Sequence, residues 1–235
     1  MREFFNMDNG FFRALGRLAD IMILNVTFLI FCIPIVTIGA SLTGMYYVAL
    51  KMAENEEGYI IRGFWKSFKQ NFKQATVIWI AMLIVALVLI MDFQILGLST
   101  GSLAKPLYIG IIAVSFIYLM VFSYVFPLLA RFYNTIRGTF KNAILIAIAN
   151  LPYTVLIIIV TVVPVAVTFY NTYTLWYGIL IWLMAGFAGI AYVNSYFYKK
   201  IFVKFMPEEK DDTDHDHWEM DEEEVNEEVK TSEEE

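Results

Sequence analysis

Two polar side chains stand where a membrane-bound chain would keep its chemistry. Asp20 opens an otherwise uncharged stretch that continues to Leu50, and Asn25 follows about 1.4 helical turns later. An ionisable group in or near a bilayer is by default a candidate for handling protons or solutes. An aspartate near a helix start is also favoured by the helix dipole, which gives Asp20 a purely structural reading as well. Asp92 occupies a similar boundary. Pro34, Thr37 and Gly39, with Ser41 and Gly44, read as a turn followed by a small-residue face that admits close helix packing. Asn150 and Pro152 interrupt a second apolar segment, and Asn194 a third. Interhelical hydrogen bonding is the favoured role for these groups, and lining a ligand path is the other.

Acid–base chemistry has little else to draw on. The nucleotide-binding pattern GxxxxGK[ST], the zinc-protease pattern HExxH and the hydrolase pattern GxSxG do not occur. The two histidines, His215 and His217, sit in the acidic run DDTDHDHWEMDEEE. They could hold a transition metal weakly, but an ordered site needs a scaffold and this run reads as disordered. The expectation is a chain with no catalytic residues, no cofactor and no structural metal, and therefore not an enzyme. Cys32, the single cysteine, cannot form an intrachain disulfide.

The elements that must position these residues are transmembrane helices. Hydrophobic residues make up 59% of the 235 and charged ones 17%, against about 45–50% and 25% in soluble domains. From Asn142 to Tyr198 there is no Asp, Glu, Lys or Arg, and from Ala75 to Leu129 the charges are Asp92 and Lys105. A soluble helix needs a solvated face, and these runs offer none at any helical phase. Spans are expected near 18–38, 75–97, 106–130, 142–168 and 175–197. The prolines at 152 and 164 are tolerable where neighbouring groups re-satisfy the backbone. Residues 39–53 form a shorter, less certain apolar stretch.

Charge divides the chain in two. Residues 1–206 carry 15 basic and 7 acidic side chains, a net of +8, while residues 207–235 carry 2 and 16, a net of −14. The expected organisation is a helical transmembrane domain over 1–206 and an acidic, disordered cytoplasmic tail over 207–235. Basic residues cluster at 51–74, 131–141 and 199–204, which the positive-inside rule places in the cytoplasm. Topology accounts for these clusters, so they give no reason to expect nucleic acid. Arg2, Arg13 and Arg17 also favour an inside N-terminus, which would leave 51–74 outside after one crossing. A short sixth helix at 39–53 removes the conflict. The preferred reading is all-α: a polytopic bundle of three helical hairpins with six crossings, one short, and five crossings as the alternative.

The lead-in FWKSFKQNFKQATVIWIA at 64–81 aligns without gaps on FYNTIRGTFKNAILIAIA at 132–149. This suggests a weak internal repeat of basic amphipathic segment and span. Phe64, Phe68 and Phe72, four residues apart, would share one helical face against lipid or neighbouring helices.

The run LADIMILNVTFLIFCIPIVTIGASLTGMYYV at 18–48, followed by FWKSFKQNFKQA at 64–75, resembles the YesL family of bacterial membrane proteins, which is catalogued as a domain of unknown function. Asp20, Leu24, Asn25, Pro34, Thr37, Gly39, Tyr46, Tyr47, Phe68, Asn71 and Phe72 carry the resemblance. It implies a small multi-pass protein of the bacterial cytoplasmic membrane, with relatives often encoded near sugar ABC transporters. No catalytic residue or substrate is established for that family, and none carries over. The expected partners are the lipid bilayer and other membrane proteins such as sugar-transporter subunits. The expected function is a non-enzymatic accessory or scaffold of carbohydrate uptake, with a small secondary transporter or channel as the alternative.

Overall fold

The computed structural model describes residues 10–56, 58–98 and 104–205, and every regular element among them is helical. The first helix, α1 (Gly10–Cys32), buries Leu24, Asn25, Thr27 and Phe28 and leaves Ile23, Val26 and Ile30 exposed. That three-and-four spacing gives one face to protein and the other to lipid. The helix stops because Pro34 offers no N–H and forces the residue before it out of helical geometry. Thr37 repairs the break: its hydroxyl donates to the carbonyls of Phe31 (2.6 Å) and Pro34 (2.7 Å). Ser41 donates to the carbonyls of Phe31 and Thr37, 3.0 Å each.

A single 3-10 turn (Ile35–Thr37) leads into α2 (Ile38–Ala53). Sixteen α-helical residues and three in the tighter helix together reach about 30 Å, enough to cross hydrocarbon. This is the short sixth helix of the preferred reading, and it is long and apolar enough to cross. It is both the least hydrophobic and the most buried of the candidate spans. The two properties share a cause, since a helix surrounded by protein needs small side chains more than lipophilic ones. At Gly39 an added Cβ would lie 2.5 Å from the Ala75 carbonyl oxygen and 2.6 Å from Trp79 Cβ.

The partner in that contact is α3 (Ile60–Gly97), 38 residues long. At 1.5 Å per residue it reaches about 57 Å, well beyond a bilayer core, so its basic first turns extend past the hydrocarbon. Phe64 and Phe68 turn inward beneath Phe31, with ring centroids 5.4 and 5.1 Å from it. Then come α4 (Ala104–Arg131) and α5 (Ile136–Ala149), the latter capped by Thr135, whose hydroxyl accepts from Gly138 N–H. Next are α6 (Leu151–Thr168), α7 (Thr172–Ile181), a π-helical segment (Trp182–Gly186) and α8 (Phe187–Phe202).

One expected span is corrected. The apolar stretch 142–168 is not one helix, because Asn150 leaves helical geometry (φ −124°, ψ 43°) and Pro152 starts α6. Proline is tolerated in the first helical turn, where no intrahelical N–H bond is lost. The buried Thr154 hydroxyl reaches the carbonyls of Ala147 (2.8 Å) and Asn150 (3.1 Å), and Asn150 Nδ2 donates to the Ile146 carbonyl. The internal repeat is mirrored only in part. Residues 68–81 and 136–149 are helical in both copies, whereas 64–67 are helical and 132–135 form a loop.

Six stretches are long and apolar enough to cross a membrane: Phe12–Cys32, Ile35–Ala53, Ile60–Gly97, Lys105–Arg131, Leu151–Thr168 and Thr172–Phe205. Polar contacts gather alternate ends of these helices. Arg17 donates to Asn55 (2.9 Å), Arg131 pairs with Glu54 (2.9 Å), and Lys199 Nζ lies 3.5 Å from the Ala53 carbonyl. The start of α1, the α2–α3 loop, the end of α4 and Lys199 of α8 therefore share one end of the bundle. That is the arrangement three hairpins require. Residues Met1–Ile201 make one unit and Phe202–Glu235 a second; in the latter, the described residues finish α8 and form a 3-10 turn (Val203–Phe205).

Candidate functional site

At the shared end, α1, α2 and the first turns of α3 enclose a cleft of about 780 Å³. Arg13, Arg17 and Asp20 line it from α1, at spacings of four and three that align them on one face. Tyr47 and Lys51 come from α2 at a spacing of four, and Arg62 and Lys66 from α3 at the same spacing. The connecting loop closes the rim. Asn55 turns the chain there with φ 58°, a left-handed conformation that asparagine tolerates better than most residues.

The lining carries five basic and two acidic side chains, a net of +3. Lys51 pairs with Glu56 at 2.9 Å, and this hydrogen bond holds the Glu56 carboxyl below its ordinary range against the opposing effect of partial burial. Arg17 is held by the neutral Asn55 side chain, and the Arg62 guanidinium lies 4.9 Å from the Tyr59 ring centroid. Both contacts fix a cation without cancelling its charge. Asp20 is half-buried in the same wall, and no hydrogen bond or ion pair engages it among the described residues. The arrangement suits recognition of an anion.

Asn25 is elsewhere. It is fully buried and reaches the π segment between α7 and α8. Its Nδ2 donates to the carbonyls of Trp182 (3.0 Å) and Leu183 (2.9 Å), and its Oδ1 accepts from Ala188 N–H (3.0 Å). A π turn displaces backbone groups from their usual partners, and one amide side chain on α1 satisfies three of them. Beside the segment lies an apolar cavity of about 540 Å³, lined by Pro164, Thr168, Gly178, Trp182, Gly186 and Gly189 among others.

The remaining sequence candidates do not converge on either place. Pro34 and Thr37 build the α1–α2 turn, Gly39 seats α2 against α3, and Asn150 with Pro152 makes the α5–α6 break. Asp92 lies near the far end of α3. Among the described residues no group of three or more His, Cys, Asp or Glu is placed to hold a metal; His215 and His217 lie outside them. Sequence reasoning did not assemble the cleft. In the sequence alone Arg13, Arg17, Arg62 and Lys66 read as topological and interfacial charges, and Tyr47 only as part of the family resemblance. The four-residue spacing of Arg62 and Lys66 was a legible signal of a shared face.

No curated protein and no solved structure matches the chain. Residues 21–93, from the middle of α1 through most of α3, match the family described as "Protein of unknown function, DUF624".

Proposed function

We propose that this chain is a non-enzymatic accessory protein of the YesL kind, a helical scaffold in the bacterial cytoplasmic membrane with its C-terminus inside. One observation carries the reading: several buried polar groups within the spans bond from one helix to another. Asn25 serves the π segment, Tyr124 meets Thr154 at 2.9 Å, and Tyr198 donates to the Ser123 carbonyl at 2.5 Å. Three buried side-chain oxygens among the described residues, on Thr76, Ser115 and Asn194, stay outside such bonds. The positive-inside rule supports a cytoplasmic location for the end bearing Arg17, Lys51, Arg62 and Arg131. Partnership with a sugar-uptake system rests on the YesL resemblance.

Affinity purification of the full chain in mild detergent tests the scaffold reading. It is expected to retain transporter or enzyme subunits in fixed stoichiometry, while the purified protein moves no solute in proteoliposomes. Recovery of the chain alone across growth on different carbon sources overturns it. The second reading is a small transporter, favoured by Asp20 in the cleft wall and by the unpartnered Asn194 oxygen. Under that reading, proteoliposomes show solute flux that Asp20→Asn abolishes in a folded protein.

A further inference from the structure

We propose that the cleft between α1, α2 and α3 is a binding site for a phosphate group presented at the membrane surface. Of the five cations, Lys51 is neutralised by Glu56, whereas Arg17 and Arg62 are oriented by an amide oxygen and an aromatic ring. Holding two guanidinium groups in place with uncharged partners keeps a positive field in the cleft and lowers the entropy lost on binding. Guanidinium forks match phosphate oxygens bidentately, and Lys66 adds a point charge to the same wall. A volume of about 780 Å³ admits a ligand of headgroup size.

Arg62 and Lys66 lie in the first two turns of a helix some 27 Å longer than the hydrocarbon core, on the basic end that projects past it. Next to Arg17, Leu15 and Leu18 are 51% and 48% exposed, and Ile61 beside Arg62 is 60% exposed. An apolar flank beside a cationic cleft matches a phosphate that arrives attached to acyl chains. A soluble phosphate would use the cations and ignore the flank.

Calorimetric titration of the full chain in a neutral maltoside detergent separates these cases. The probes are dioctanoyl phosphatidic acid, dioctanoylglycerol and inorganic phosphate. Saturable binding of a phosphate probe is expected, with none for dioctanoylglycerol. Arg62→Gln with Lys66→Gln should weaken it about tenfold or more. The charge-keeping pair Arg62→Lys with Lys66→Arg should keep saturable binding and lose less affinity than the glutamine pair, which shows that the wall still folds. Arg137→Gln, a basic residue outside the cleft, should change affinity by less than about twofold. Preference for phosphatidic acid over inorganic phosphate identifies a lipid headgroup, and equal binding identifies a solute phosphate; both outcomes support the site. Absence of saturable binding by either phosphate probe overturns it. So does an equal loss in Arg137→Gln, which would reduce the effect to general interfacial charge.

Discussion

The side-chain oxygen of Asn25 accepts a hydrogen bond from the backbone N–H of Ala188 at 3.0 Å, joining the first transmembrane helix to the last. The same amide donates to Trp182 and Leu183, so one residue binds three backbone groups in and just after a π turn, 157 or more positions away. Replacing it with leucine of similar volume should remove all three bonds. Unsatisfied buried polar groups cost about 1–3 kcal/mol each, and membrane interhelical bonds measure about 0.6–2 kcal/mol. Asn25→Leu is therefore expected to cost about 2 kcal/mol and lower the unfolding temperature in detergent. Asn25→Asp should cost at least as much, since a carboxylate keeps the acceptor and loses both donors. Unfolding of Asn25→Leu at the parental temperature would show that the π turn holds itself.

Gly39 should tolerate no side chain of any bulk. A Cβ there would meet the Ala75 carbonyl oxygen at 2.5 Å and Trp79 Cβ at 2.6 Å, while at Gly44 it would meet the Phe64 ring and carbonyl oxygen, each at 3.1 Å. The closer clash demands the larger backbone shift, so Gly39→Val is expected to cost about 1–3 kcal/mol and exceed Gly44→Ala. Thermal scans of the two variants in one detergent check the order.

Six crossings make a labelling prediction. In a Cys32→Ser background, Glu56→Cys and Tyr133→Cys should react with an impermeant maleimide from the same side, and Tyr170→Cys from the other. Tyr133 and Tyr170 are both highly exposed loop residues, which makes them fair reporters. The positive-inside rule puts the first two in the cytoplasm, reactive only after permeabilisation. Labelling of all three from one side would break the hairpin arrangement.

The α2–α3 loop gives a pH dependence of known sign. Lys51 depresses the folded-state pKa of Glu56 below its ordinary 4.5, so the pair's stabilisation is present above that value and is lost as pH falls through the folded pKa. The pair is exposed, so the effect is small and screened by salt. Titration of the Glu56 carboxyl by NMR should show its pKa rising toward 4.5 in Lys51→Met. No change would mean that the pair does not form in solution.

Much of the architecture was legible because a membrane filters composition harshly. The apolar runs identified spans, and the N-terminal arginines set against the basic cluster at 51–74 favoured an extra crossing where hydrophobicity alone was weak. Asn142–Tyr198 shows the limit of that reading, since the whole stretch is apolar. Only backbone hydrogen bonding separates the break at Asn150 from the continuous helices around it. The signal existed in Pro152, but proline inside a membrane helix permits a kink, a break or neither.

By itself, then, the sequence determined that this chain spans a membrane and roughly where it crosses, and it favoured six crossings over five. Those outcomes depend on local hydrophobicity and charge, which each segment carries independently of the others. Tertiary structure decided what the polar residues do. Asp20 and Asn25, five positions apart on one helix, part company: the first lines the cationic cleft beside Arg62 and Lys66, and the second closes the π turn of the last helix. That division follows from which helix packs against each face of α1, a property of long-range contacts that no local spacing encodes.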